Sequence, residues 1–312
     1  MKAKRGVIMK VAVIGAGAMG SLYGGYLSKV SEEVYLVDVW QQHVDAINTK
    51  GLCIHEKDKE VVVHPKAVNS ADGVGYVDLA IVFVKSIITG SALEKNIALL
   101  GPNTIVLSLQ NGYGNIDQIA EYVDINNIIA GTTAHGATML SPGNIKHAGI
   151  GETHIGWVRN RKDDRIDAVV DILQSAGFDT LVSDNVMELI WSKLIINVGI
   201  NALTAILKIK NGDILKQEET KSLIRSAVIE AVDVAKASGI EFDGEAMVKK
   251  VMEVAFATGE NKSSMLQDIL NKRKTEIDTI NGAIVKEGKK YFVETPVNIV
   301  LTNLVKALEK SE

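Results

Sequence analysis

Along the first part of the chain, short apolar runs alternate with segments of helical period. MKVAVI (9–14), VYLVD (34–38), VVVHP (61–65), VDLAIVFVK (77–85) and TIVLSLQNG (104–112) read as buried strands. Helical stretches follow the turn at 15–20, as far as about Lys29, and run from Thr89 to about Leu100. NIIAGTTAHGATML (127–140) reads as a further strand and crossover, SPGN (141–144) as a turn and ETHIGWV (152–158) as a returning strand. An amphipathic helix over 161–177 closes on Gly177, and FDTLVSD (178–184) is a last short strand. Strands that alternate with helices in this way predict a parallel sheet.

From Asn185 the strand pattern stops. Helical periods cover 185–208, 217–238, 243–256, 264–289 and 295–310, punctuated by Gly239, Gly259, Gly288 and Pro296. The expected organisation is therefore an α/β domain over 1–184 followed by an all-α domain over 185–312. There is no internal repeat or low-complexity linker, so a close interface between the two is expected, and clefts between domains are favoured ligand sites.

Composition narrows the class. A chain of 312 residues that is 46% hydrophobic and 23% charged is ordinary for a globular protein with ample core. The net charge of −4 and the lack of a basic run argue against a nucleic-acid partner. One cysteine, Cys53, excludes an intrachain disulfide and a cysteine metal cluster, and fits a reducing, cytoplasmic setting. Lys2, Lys4, Arg5 and Lys10 before an apolar run superficially resemble a leader, but the run is short and holds three glycines. Met9 is a second candidate start, with residues 1–8 as a disordered extension. No segment is read as a membrane span. His135, His147 and His154 do not fall at metal-ligand spacing in any helix, so no metal site is read.

Two stretches carry candidate chemistry. The first is Gly15-Ala16-Gly17-Ala18-Met19-Gly20, between the first strand and helix, with Asp38 closing the second strand. This is a dinucleotide fingerprint in its expected context. Gly15 allows the tight turn, Gly17 lets the backbone approach the pyrophosphate, and Gly20 lets helix and strand pack. The helix start offers amides and a positive dipole end to phosphate. A carboxylate at Asp38 accepts from the ribose hydroxyls of NAD and repels a 2′-phosphate, and no reliable cation follows it in Val39-Trp40-Gln41-Gln42-His43. Trp40 stacks on adenine or covers the core. Lys85 and Asn111 close later strands, where they reach cofactor or substrate, or else serve loop and turn.

The second stretch is WSKLIINVGINALTAILKIKNG (191–212), apolar almost throughout yet carrying Lys193, Asn197 and Asn201 at a spacing of four. On a helix these lie in a shallow spiral on one face. Burying an ammonium and two amides costs several kcal/mol unless each finds a partner. A polar ligand is one such partner, and a desolvated lysine has a lowered pKa that suits proton donation. The alternative is that the asparagines tie down neighbouring helix ends and Lys193 snorkels to solvent.

With these motifs in place, the chain from Met9 onward resembles the ketopantoate reductases (2-dehydropantoate 2-reductases). The resemblance shows in GAGAMG (15–20), VKSIITGSAL (84–93), LQNGYGN (109–115), WSKLIINVGINALTA (191–205), Asn211-Gly212 and, most specifically, SSMLQDILNKRKTEIDTINGAIV (263–285). It implies a Rossmann-type dinucleotide-binding domain followed by a helical substrate and dimerisation domain, and a cytoplasmic homodimer reducing a small 2-keto acid in pantothenate synthesis. It implies that Lys193 is the catalytic acid. Asn197, Asn201, Asn211 and Ser264 would hold the substrate's hydroxyl and carboxylate, and Lys85, Asn111 and Glu276 would lie near the nicotinamide and the reacting centre.

The chain departs from the family pattern after the second strand. Members usually take NADPH, often with an arginine there, whereas Asp38-Val39-Trp40 leans to NAD. An NADH-dependent D-2-hydroxyacid dehydrogenase on the same scaffold is the nearest rival, and a non-catalytic dinucleotide sensor is the rival of another class. Ser264, expected to open a helix, offers a hydroxyl and free amides to a carboxylate. On a straight helix Ser264 and Glu276 would stand about 18 Å apart. The expectation is that Ser264 serves the substrate while Glu276 serves Lys193 or the cofactor, with an i−4 pair to Lys272 as the alternative for Glu276.

Overall fold

The computed structural model describes residues 9–159 and 163–311. The chain forms two compact units, Met1–Gln110 with Asn115–Val186 and Asn111–Gly114 with Met187–Glu312. Residues 1–8, and the start expected at 161 for the fifth helix, lie outside the described residues.

The first unit runs β1 (Val11–Ile14), α1 (Ala18–Leu27), β2 (Val34–Val37), α2 (Gln41–Lys50), β3 (Leu52–His55), β4 (Glu60–Val63), β5 (Lys66–Val68), β6 (Leu79–Val82), α3 (Thr89–Lys95), β7 (Ile105–Ser108), α4 (Asn115–Ala120), β8 (Ile128–Thr133), β9 (Gly136–Ser141), β10 (Asn144–Gly149), β11 (Thr153–Trp157), α5 (Arg165–Ser175) and β12 (Thr180–Val182). Eight strands form one sheet in the order β12-β11-β8-β7-β6-β1-β2-β5, parallel except where β11 meets β8. β1, β6 and β7 are buried at every position, as parallel strands covered on both faces must be.

A second, four-stranded sheet, β4-β3-β10-β9, corrects the sequence reading twice. The strand expected at 61–65 belongs to this sheet. The run 127–140, read as strand and crossover, is two strands in different sheets, with β9 returning antiparallel as β10. These strands are only half covered, and a short half-apolar run does not say which sheet it joins. The two sheets explain why α1 is buried nearly all round. A Cβ on Gly24 would lie 2.2 Å from Leu36, and one on Gly25 would lie 2.8 Å from Leu52 of the small sheet.

The second unit is helical: α6 (Val186–Leu207), α7 (Glu218–Ala237), α8 (Gly244–Ala257), α9 (Ser264–Leu270), α10 (Asn281–Tyr291) and α11 (Pro296–Ser311). By length and composition α6 is apolar enough to cross a membrane, contrary to the sequence reading. In the fold its Trp191, Leu194, Ile195, Val198 and Leu203 are the core of the unit. The helix expected over 264–289 is broken. Lys272 takes φ 54°, the Arg273 amide closes back on the Asp268 carbonyl at 2.8 Å, and a 3-10 turn over Ile277–Thr279 precedes α10. This is a helix stop without glycine, so no residue type marked it. Tying of helices falls to other asparagines than those on α6. Asn281 donates to Asn298 at 3.0 Å and to the Val198 carbonyl at 3.3 Å, and Asn298 donates to Glu230 at 2.7 Å.

Candidate active site

In the first unit, the β1–α1 turn opens on a cavity of about 640 Å³ lined by Gly15, Gly17, Asp38, Val39, Val84 and Lys85, among others. Gly15 stands at φ 95°, and a Cβ there would lie 2.8 Å from the Val84 amide, so only glycine fits without strain. A Cβ on Gly20 would fall 1.9 Å from the Gly15 carbonyl oxygen, which lets α1 start directly under the turn. Gly17, by contrast, faces open space, and α1 begins there with no side-chain cap. The first-turn amides are therefore available to an anion. This cradle fits a dinucleotide pyrophosphate. Ala16, Ala18 and Met19 complete the turn, with Ala16 buried.

Asp38 follows β2 and lines the same cavity; its Oδ1 accepts from the Trp40 amide at 2.9 Å. The Trp40 ring stacks on His43, 5.4 Å between centroids and 14° between planes. His43 was not singled out from the sequence. It is buried, its Nδ1 accepts from the Gly143 amide at 2.9 Å, and its Nε2 lies 3.0 Å from Ser21 Oγ. Ser21 in turn donates to the Ala16 carbonyl at 2.8 Å. With Nδ1 an acceptor, Nε2 carries the proton and donates to Ser21. Burial holds the imidazole pKa below its usual value, against the Asp38 carboxylate, which raises it.

In the second unit, Lys193 is half-buried on α6. Desolvation of its ammonium lowers the pKa from 10.5 to about 8, and the Glu276 carboxylate pulls the other way. The break after α9 places Glu276 immediately before the 3-10 turn, so the straight-helix separation from Ser264 does not apply. Glu309 fixes this segment by accepting from the Thr275 amide at 2.7 Å and from the Thr275 hydroxyl at 2.6 Å. Loop 111–114 belongs to this unit. The Tyr113 amide donates to the Thr279 carbonyl at 2.8 Å, and the Tyr113 ring lies 4.9 Å from that of Trp191. Asn111 thus groups with the helical residues, although it follows β7 in sequence.

Among the described residues, the Asn197 and Asn201 side chains form no hydrogen bond within the protein, and Asn201 is only 5% exposed. Asn211, 8% exposed, donates through Nδ2 to Thr258 Oγ1 at 3.0 Å. Thr258 spends its own proton on the Val254 carbonyl, which fixes the amide's orientation. That leaves Asn211 Oδ1 buried without a protein partner, an arrangement that points to a ligand donor. Ser264 opens α9, as expected, and is exposed; the residue that caps the helix is Ser263, which accepts from the Leu266 amide at 3.1 Å and bonds Thr204 of α6 at 2.7 Å. Of the three histidines weighed as metal ligands, His135 and His147 bond each other at 3.0 Å, His147 bonds Glu56 at 2.8 Å, and His154 bonds Glu152 at 3.0 Å.

A parallel sheet with a glycine cradle at its first turn, joined to a helical unit bearing a desolvated lysine, defines a Rossmann-type dinucleotide-dependent protein. The chain belongs to the ketopantoate reductase family: the PanE/ApbA model matches residues 11–160 and the PanE/ApbA C-terminal model matches 185–309. It is 39% identical over 305 residues to the 2-dehydropantoate 2-reductase of Pyrococcus abyssi, covering 97% of this chain and 99% of that one. The enzyme of the same name from Halobacterium salinarum is 34% identical over 303 residues, again covering 97% and 99%. Among solved structures, D-mandelate dehydrogenase with NADH and anilino(oxo)acetate superimposes with a TM-score of 0.91 at 35% identity. A PanE/ApbA family ketopantoate reductase from Ralstonia eutropha superimposes with 0.88 at 32%, and both matches cover 97% of this chain and 99% of the other.

Proposed function

We propose that this protein reduces 2-dehydropantoate to (R)-pantoate with a nicotinamide dinucleotide, and that its preferred cofactor is NADH. The observation that carries the reading is Lys193, a desolvated ammonium under the influence of Glu276, in a unit whose Asn197, Asn201 and Asn211 offer amide groups to a polar ligand. The curated relatives from two archaea carry that activity in their names. The preference for NADH is supported by the Asp38 carboxylate in the first-unit cavity.

The dinucleotide, held by the cradle at Gly15–Gly20, supplies the hydride. Lys193 polarises the substrate carbonyl and gives its proton to the oxygen as negative charge develops there. A pKa of about 8 leaves the lysine mostly protonated near neutrality yet a far stronger acid than an exposed one. Glu276 keeps the proton on Lys193 until transfer. Asn211 Oδ1 accepts from the substrate hydroxyl, and Asn197 and Asn201 donate to its carboxylate. Because the acid form is required, kcat/KM should fall as pH rises through about 8. Glu276→Gln removes the charge that raises this pKa, so the limb should move to lower pH. A pH–rate profile of both proteins checks this, and an unmoved limb would detach Glu276 from Lys193.

A second reading, reduction of another 2-keto acid by a D-2-hydroxyacid dehydrogenase, is favoured by Asp38 together with the likeness to the NADH-bound D-mandelate dehydrogenase. One steady-state assay separates the two, with ketopantoate and phenylglyoxylate each run against NADH and NADPH. Turnover of ketopantoate in clear excess over phenylglyoxylate supports the first reading. The reverse order supports the second.

A further inference from the structure

Cys53 and His55 stand two apart on β3 and so share a face of the small sheet. The opposite face, with Leu52 and Ile54, is fully buried. Antiparallel pairing sets Glu60 of β4 directly across from His55, and parallel pairing sets Asn144 of β10 across from Cys53. The register of three strands therefore gathers a thiol, an imidazole, a carboxylate and an amide oxygen into one patch. None of the four lines the dinucleotide cavity.

We propose that this patch is a divalent transition-metal site of the zinc class, with Cys53, His55 and Glu60 as ligands and the Asn144 oxygen or water completing the shell. The donor atoms of the three residues lie within 4.8 Å of one another. Cys53 Sγ is 3.6 Å from His55 Nε2 and 3.9 Å from Glu60 Oε2, and His55 Nε2 is 3.4 Å from Asn144 Oδ1. In a tetrahedral shell with bonds of about 2.0–2.3 Å, ligand atoms stand roughly 3.3–3.8 Å apart, so little movement is needed. The other Glu60 oxygen lies 3.1 Å from His55 Nδ1, which orients the ring with Nε2 toward the thiol. Thiolate and carboxylate together neutralise a dication, and the sulfur–nitrogen–oxygen set suits zinc or cobalt over magnesium or calcium. Uptake of the ion releases the Cys53 proton, because the thiolate is the ligand. Ligands gathered across paired strands leave no helical spacing in the sequence.

Cysteine occurs once in the chain, so a thiolate-to-cobalt charge-transfer band can only report Cys53. Titration of the untagged protein with Co²⁺ should raise that band to saturation at one ion per chain, and Zn²⁺ should abolish it. Cys53→Ser should remove the band, and His55→Ala and Glu60→Gln should each weaken binding about tenfold or more. Keto-acid reduction by Cys53→Ser should be unchanged, which keeps this test separate from that of the catalytic function. Absence of the band overturns the proposal. So does a band whose affinity is the same in His55→Ala and Glu60→Gln, which would mark a thiol binding cobalt alone.

Discussion

Lys193→Ala is expected to lower kcat for the keto acid by about 10²–10⁴-fold, the usual contribution of a positioned general acid. Dinucleotide affinity should be unchanged, because the lining of the first-unit cavity does not include Lys193. The two readouts are steady-state turnover and calorimetric titration with the cofactor. Loss of packing is the obvious confounder, since the lysine stem lies on a core helix. Lys193→Met keeps most of the stem volume and replaces a desolvated charge with an apolar group, a change that buried sites often tolerate. The methionine variant should therefore melt at or above the wild-type temperature while being as inactive as the alanine variant. Normal turnover in a folded Lys193→Met protein would remove Lys193 from the mechanism.

Asp38→Asn should erode the proposed preference for NADH over NADPH by about 10- to 100-fold, corresponding to the roughly 1.5–3 kcal/mol carried by a hydrogen bond to a charged group. Asparagine retains an oxygen for the Trp40 amide, so the turn into α2 is preserved and the charge alone is tested. NADH loses a charged acceptor for its ribose hydroxyls, and the 2′-phosphate of NADPH is no longer repelled. Both changes act in the same direction on the ratio of kcat/KM values. A ratio equal to that of the wild type would mean that Asp38 does not read the ribose.

What could be read from the sequence was whatever depends on near neighbours. The strand, glycine turn, helix and terminal acid of residues 9–38 constrain one another within a short span, and backbone sterics at Gly15 and Gly20 enforce that geometry. The helical periods of α6, α7, α8 and α11 were equally legible, because their apolar faces repeat over several turns. The small sheet was not, since its strands are short and half exposed and its order, β4-β3-β10-β9, joins segments far apart in the chain. The break at Lys272 carried no glycine or proline to announce it. Among the candidate site residues, the type and spacing of Lys193, Asn197 and Asn201 could be noticed. The resemblance offered Glu276 as a partner of Lys193 or of the cofactor, and the carboxylate does act on Lys193, but nothing local revealed that Asn211 has a buried oxygen left over. Ser263 was hidden by Ser264 beside it, as two serines in a row do not say which one caps.

The chain of hydrogen bonds from Gly143 through His43 and Ser21 to Ala16 has a direction. His43 and Ser21 each give one proton onward and receive one from behind, and only the neutral imidazole with its proton on Nε2 can stand in the middle. An imidazolium would set an N–H of the ring against the Gly143 N–H, and the row would part at that link. The glycine turn at the start of α1 is thus braced from a hairpin of the other sheet, through a single tautomer. Burial of His43, by making the charged ring costly, keeps that brace closed as the solution acidifies.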